Sequence, residues 1–281
     1  MLWAMALYRL DDTVGIEART LVVAFDGWVD AGSASTTAAA RLSDGGSIVA
    51  TFDADALFDY RARRPTLEIE DGRPATLTWP ELLLRRSAGG DGRDILVLTG
   101  PEPDFRWHEF ADAAVALARH FAVAEWISLG AIPAAVPHTR PVPILGTASR
   151  PGLLRGDVLP GPDGLLRVPA AALSVLDLAV TSGGIAALGY FAQVPHYISG
   201  PYPAAAAELL RAVGRHIGGH PPLGPLPEEA RQLASRLDAA AALDENTRAY
   251  VERLEGMSDD ARLPSGDDLI ADIERFLREG G

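Results

Sequence analysis

Asp26 and Asp30 close an apolar run, Leu21 to Phe25, and Ser33 follows in the same loop. Three further apolar runs end in the same way. Asp94 to Leu98 leads to Thr99 and Glu102. Glu125 to Leu129 leads, through a proline-rich stretch, to His138 and Arg140. Ile185 to Ala192 leads to His196 and Tyr197. If the four runs are parallel strands, their carboxyl ends meet at one sheet edge, where open α/β folds collect ligands. Carboxylates, imidazoles, hydroxyls and a guanidinium would then share one pocket, the ingredients of general acid–base chemistry. The function such a set would serve is an enzyme or binder acting on a small anionic or nucleoside-like ligand at the carboxyl edge.

The same residue types also do structural work. Asp-Gly pairs make turns, and Asp and Ser cap helices. Asp26 is expected to accept backbone N–H bonds in its own turn, and Ser33 to cap the helix that follows. The Gly32–Ser33 helix start would also offer free N–H groups to an anion. The chain has no Gly-x-Ser-x-Gly elbow, no Gly-x-Gly-x-x-Gly and no Walker pattern. Its six His are scattered without ligand spacing, so no metal and no cofactor is expected.

The elements that must position these residues alternate. Thr20 to Phe25 reads as a strand buried on both faces. Ala31 to Leu42 reads as a helix stopped at Gly45–Gly46. Further strands are Ser47 to Phe52, Asp94 to Leu98, Glu125 to Leu129 and Ile185 to Ala192. Ala75 to Trp79 and Glu81 to Arg86 read as a hairpin-like antiparallel patch, and Gly89 to Gly92 as a turn. Helices are expected over Phe105 to Phe121, with Asp104 as cap, over Pro169 to Thr181 and over Pro203 to Ile217. The prolines between Pro133 and Pro151 predict an extended segment crossing the top of the sheet. Leu2 to Leu10 is an edge strand or a packed arm. The pattern is that of a three-layer α/β/α sandwich with a mostly parallel, mixed sheet.

The Gly/Pro linker from Gly218 to Pro227 divides the chain into an α/β/α domain, residues 1–222, and a C-terminal helical extension, residues 223–281. The extension should hold helices over Glu228 to Leu243 and Glu245 to Leu254, with Asp244 as cap between them. A third should start at Ser265, with Leu269, Ile273, Phe276 and Leu277 on one face.

Composition excludes several functions. There is no Cys and no Lys: all 25 basic residues are Arg. Disulfides, thiolate chemistry, a Schiff-base lysine and a P-loop lysine are therefore impossible. The net charge of −13 disfavours a nucleic-acid partner. Leu226 to Gly281 carries 14 acidic and 7 basic residues, a solvated, acidic helical surface. Met1 to Tyr8 is too short for a signal peptide and no stretch suits a membrane span, so a cytoplasmic protein is expected. The excursion from Asp53 to Pro74, with Tyr60, Arg61, Arg63 and Arg64, is long for a bare connection and suits a contact surface. A basic loop and an acidic surface on one chain can pair between copies. A homo-oligomer, dimer or trimer, is the expectation.

These stretches also form a family pattern. Ala24-Phe-Asp-Gly-Trp-Val-Asp-Ala-Gly resembles the first motif of the bacterial, actinobacterial-type proteasome-assembly-chaperone-2-like family. Tyr60-Arg-Ala-Arg-Arg-Pro65, Thr99-Gly-Pro-Glu-Pro103, Leu129-Gly-Ala-Ile-Pro133, Pro137-His-Thr-Arg140 and Gln193-Val-Pro-His-Tyr197 follow in the family's order. So do Leu263-Pro-Ser-Gly-Asp-Asp268 and Ile273-Glu-Arg-Phe-Leu277. The resemblance implies a phosphorylase/hydrolase-like α/β/α fold with C-terminal helices. It implies a protein-binding or assembly factor without catalysis, with a proteasome component as a partner of the kind its eukaryotic relatives engage. One docking device of those relatives is a C-terminal hydrophobic–Tyr–any tail, and this chain ends Leu277-Arg-Glu-Gly-Gly281. Members are also labelled ATP-grasp ligases, which use lysines on nucleotide phosphates, and this chain has none.

Overall fold

Strand β2 (Ala18–Asp26) is the spine of the molecule. Its side chains alternate between two cores, as the period of a strand requires. Leu21, Val23 and Phe25 enter one, and Val22 and Ala24 enter the other. The run Leu21 to Phe25, apolar at every position, therefore has a layer on each face. The structure is a computed structural model, and it describes residues 7–11, 15–16, 18–88, 94–161 and 164–260.

The other strands of the main sheet are β1 (Tyr8–Leu10), β3 (Ser47–Phe52), β6 (Leu83–Ala88), β7 (Asp94–Pro101), β8 (Glu125–Ala134), β9 (Ile144–Ala148), β10 (Leu159–Pro160) and β11 (Ala186–Pro195). Their order is β1-β3-β6-β7-β2-β8-β11-β9-β10. The four central strands, β7, β2, β8 and β11, are parallel, while β6, β3 and β1 continue antiparallel on one side. On the other side β9 runs antiparallel to β11. Helices α3 (Trp107–His120) and α4 (Ala172–Ser182) cover one face through Phe110, Leu117, Leu173 and Leu176. Helices α1 (Ala34–Leu42) and α5 (Pro203–Ile217) cover the other through Ala38, Leu209 and Val213. This is the three-layer α/β/α sandwich with a mixed sheet. The limits of α5 agree with the sequence reading because Pro203 occupies its first turn and Gly218, at φ 73°, ends it.

Three local expectations are corrected. The antiparallel patch is not Ala75–Trp79 against Glu81–Arg86. Instead β4 (Thr66–Glu70) pairs with β5 (Arg73–Thr78) around Asp71–Gly72, while β6 joins the main sheet between β3 and β7. An Asp-Gly pair at the tip sets the register, so the hairpin closes inside the excursion. Before it, α2 (Ala54–Leu57) makes one turn capped by Asp53, whose Oδ1 accepts the Ala56 N–H at 3.3 Å. Asp104 does not cap α3, which starts after Arg106 in a left-handed conformation (φ 57°). Its Oδ2 accepts the Asp59 N–H at 2.9 Å instead. Within the proline-rich stretch, Ile144 to Ala148 is not a free crossing segment but strand β9.

After the linker, α6 (Leu226–Leu243) and α7 (Glu245–Asp260) fold back on the sandwich. Leu226 is buried and Leu233 packs on the α1/α5 core. Asp244 caps α7, accepting the Thr247 N–H at 3.1 Å. The helix expected from Ser265, the tail at Leu277, the turn at Gly89 to Gly92 and the start of the Leu2 to Leu10 segment lie outside the described residues. No described helix is long and apolar enough to cross a membrane.

Candidate functional site

The candidate residues all lie toward the carboxyl edge of the central strands, and they fall into two groups. Asp30 is the hub of the first. Its Oδ1 accepts the Ser35 N–H at 2.8 Å, the Ser35 hydroxyl at 2.7 Å and the Thr36 N–H at 3.3 Å. Its Oδ2 accepts the Thr36 hydroxyl at 2.5 Å. The N-terminus of α1 that could have held an anion is thus filled by the chain's own carboxylate. Ser33 is exposed, sits at φ 48° and makes no side-chain cap bond, so the capping expected of it belongs to Asp30. Gly32, at φ 64°, lets Tyr202 donate its N–H to the Gly32 carbonyl at 2.8 Å. A Cβ on Gly32 would come within 2.8 Å of the Tyr202 side chain.

Glu102 holds the neighbouring loops. Its Oε2 accepts the Trp28 N–H at 3.2 Å, and its Oε1 accepts the Ala172 N–H at the start of α4 at 2.6 Å. This is the work expected of Asp26. The Asp26 side chain is exposed, and its main-chain carbonyl accepts the Glu102 N–H at 2.9 Å. Gly27 makes the exchange possible: a Cβ there would lie 2.5 Å from Glu102 Oε2. Thr99 is half-buried on β7, in register with Ala24 of β2.

The second group meets the C-terminal helices. His138 is buried, and the Tyr197 hydroxyl lies 2.8 Å from both its backbone nitrogen and its Nδ1. Burial pushes the Tyr197 phenol up, so it keeps its proton. The hydroxyl accepts the His138 N–H and donates to Nδ1. His138 Nε2 faces Asp238 Oδ1 of α6, a carboxylate acceptor, at 3.2 Å, so Nε2 is the nitrogen that donates. His196 Nδ1 lies 3.1 Å from the Ala134 carbonyl, which leaves Nε2 to accept the Tyr250 hydroxyl of α7 at 3.1 Å. Arg140 forks onto Asp259 at 2.9 and 2.8 Å and reaches Glu255 at 3.3 Å, and Thr139 bonds Glu255 as well. The acidity of the C-terminal helices thus has a specific counterpart on the sheet edge. Asp238, Tyr250, Glu255 and Asp259 were not singled out by sequence, where they read as a solvated acidic surface.

Between the proline-rich segment and α7 lies a cavity of about 650 Å³, lined by Val142, Pro143, Ile144, Gln193, Arg215 and Met257 among others. Among the described residues no cluster of His, Asp and Glu could hold a metal. Inside the molecule, Asp177 of α4 accepts the Ser128 hydroxyl at 2.5 Å, and burial pushes its carboxyl up to about 6.

The excursion residues cluster at its base. Tyr60 donates to Asp55 Oδ1 at 2.6 Å and meets Trp79 edge-on, with ring centroids 4.7 Å apart. Arg63 faces Asp104 at 3.5 Å, and Arg61 and Arg64 are exposed. The β4–β5 hairpin is exposed at every residue, including Leu67, Ile69 and Leu77.

A mixed α/β/α sandwich with an acidic helical pair docked on its carboxyl edge and an exposed hairpin defines the class of protein. The chain belongs to the PAC2 family, whose family model matches residues 24–241. It is similar to a Corynebacterium glutamicum protein of unknown function, at 32% identity over 91% of this chain and 98% of that one, with a TM-score of 0.83. It is similar to the Mycobacterium tuberculosis protein of unknown function Rv2714, at 32% identity over 91% and 92%, TM-score 0.84. It is also similar to the M. tuberculosis proteasome-assembly chaperone homologue Rv2125, at 33% identity over 83% and 99%, TM-score 0.75. No curated protein matches the chain.

Proposed function

We propose that this protein is a protein-binding assembly factor rather than a catalyst, and that it works as a homo-oligomer. The observation that carries the reading is the β4–β5 hairpin. A two-stranded sheet on its own is marginally stable in water. This one leaves Leu67, Ile69 and Leu77 at least 47% exposed, and Trp79, just after β5, is 47% exposed too. Aromatic and Arg side chains are enriched where proteins bind one another, and Tyr60, packed on Trp79, and the exposed Arg61 and Arg64 lie in the segment that leads into the hairpin. The acidic faces of α6 and α7 offer a second copy the complementary charge. The polar groups of the carboxyl edge support the non-catalytic side of the reading: Asp30, Glu102, His138 and Arg140 are spent on holding the fold.

A proteasome component is the protein partner that the likeness to the Rv2125 chaperone homologue favours. Sedimentation of the full chain with purified proteasome α-subunits of the same organism tests this. A stoichiometric complex at micromolar concentration is expected. Independent sedimentation of the two at about 50 μM contradicts it.

A second reading keeps the 650 Å³ cavity beside α7 as a site for a small anionic or nucleoside-like ligand. Its size suits a small molecule, and Arg215 and Gln193 supply polar contacts. Arg215 is already paired with Glu208 at 3.0 Å, which weakens it as an anion anchor.

A further inference from the structure

The amino edge of the sheet, opposite the loops described above, holds another cavity, of about 260 Å³. Glu125 at the start of β8, Arg19 on β2, Arg155 from the loop after β9, and His216 at the end of α5 supply its polar lining. Ile95 and Ile217 supply an apolar side. His216 is 2% exposed. Its Nδ1 lies 3.0 Å from the Tyr190 hydroxyl. Burial raises the Tyr190 phenol and lowers the His216 imidazole, so the phenol keeps its proton and donates it to a neutral ring. The ring proton of His216 therefore sits on Nε2, which has no hydrogen-bond partner among the described residues.

Glu125 Oε2 stands 3.6 Å from His216 Nε2, just beyond a hydrogen bond but within ion-pair distance. Arg19 Nε stands 3.8 Å from the same oxygen. Arg155 is anchored by one bond, Nη1 to the His216 carbonyl at 2.8 Å, and has further N–H groups to give. Glu125 thus stands at ion-pair distance from both Arg19 and His216, Arg155 reaches the same cavity, and the buried His216 Nε2 has no hydrogen bond. A buried donor left unmade is costly, and native structures rarely leave one without cause.

The charges select the occupant. A bare anion would meet Glu125, and a bare cation would meet Arg19 and Arg155. Asp94, also on the lining, is already paired with Arg86 at 2.8 Å. A ligand with both poles and a short apolar body suits His216 and Arg155 at one pole, Glu125 at the other and the isoleucines between. We propose that this cavity binds a small aliphatic α-amino acid. His216 Nε2 and Arg155 take its carboxylate, Glu125 takes its ammonium, and its side chain lies against Ile95 and Ile217. The site is independent of the protein-binding reading, since it lies on the opposite edge of the sheet.

Calorimetry on the full chain with L-valine, isobutyrate and isobutylamine tests the proposal. L-valine should bind saturably with a dissociation constant below about 1 mM, and neither single-pole analogue should bind within tenfold of it. Glu125→Gln, and separately Arg155→Gln, which removes the guanidinium assigned to the carboxylate, should each weaken L-valine at least fivefold. The ¹⁵N resonance of His216 Nε2 should shift on adding L-valine to the wild-type chain, a readout that needs no variant. Absence of binding up to 10 mM overturns the proposal, and the cavity then holds water only. Equal binding of either analogue, or unchanged affinity in both variants, overturns it as well.

Discussion

Glu102 Oε1 accepts the backbone N–H of Ala172 at 2.6 Å, a bond that crosses from the end of β7 to the start of α4. The other oxygen of the same carboxylate holds Trp28. One side chain thereby fixes three elements at the carboxyl edge: the β2 loop, the β7 loop and α4. Glu102→Gln can keep only one acceptor oxygen and sets an amide against a backbone donor. It should cost about 1–3 kcal/mol, whereas Asp26→Asn, on an exposed side chain, should stay within about 0.5 kcal/mol. Chemical denaturation of the two variants checks the pair, and an equal or reversed order contradicts it.

Asp177 predicts a pH dependence. Its carboxyl is raised to about 6 by burial, partly offset by the Ser128 hydroxyl and the Trp126 ring N–H, which favour the charged form. A folded value above the unfolded one means that the folded state binds the proton more tightly. The stability this confers is present below about pH 4 and is lost as pH rises through about 6. Asp177→Asn retains an acceptor for Ser128 and removes the buried charge. It should stabilise the fold at pH 8 by about 1–3 kcal/mol, with the gain shrinking toward pH 4. Urea unfolding of wild type and variant at the two pH values measures this, and a gain independent of pH refutes it.

The docking of α7 is a third point of test. Arg140 is its main ionic tether, at an interface open to solvent, where salt screens charge. Arg140→Gln should speed amide exchange in α7 while leaving exchange in β2 and β8 unchanged, and added salt should narrow the difference. Uniform change across the sheet would mean that Arg140 serves the whole fold instead.

Tyr197→Phe removes both the acceptor for the His138 N–H and the donor to His138 Nδ1. It should cost about 1–3 kcal/mol. In the wild-type chain, ¹⁵N spectra at pH 8 should show His138 with its proton on Nε2. An Nδ1-protonated ring would contradict the hydrogen-bond assignment.

The central strands were legible because each is an apolar run ended by a turn, and α5 because Pro203 and Gly218 mark its ends. What sequence did not disclose is pairing at long range. Glu102 meets Ala172, and His138 meets Asp238, across many tens of residues, and nothing local in either stretch names its partner. The Asp26 turn illustrates the limit: Asp-Gly reads as self-satisfied, yet Gly27 is there to admit Glu102. The hairpin lies elsewhere than the sequence reading puts it because its turn, Asp71–Gly72, falls inside the excursion, which reads as a loop. The acidity of α6 and α7 was visible, but not that Arg140 and His138 would receive it.

The central claim is that the β4–β5 hairpin is a protein–protein surface. Sedimentation velocity of the full chain at micromolar concentration tests it most directly, comparing wild type with Leu67→Asp/Leu77→Asp. These two residues face each other across the hairpin and touch no core, so the monomer should fold. The account predicts a wild-type dimer or trimer and a folded, monomeric double variant. A wild-type monomer, or a double variant that keeps the wild-type assembly, would contradict it.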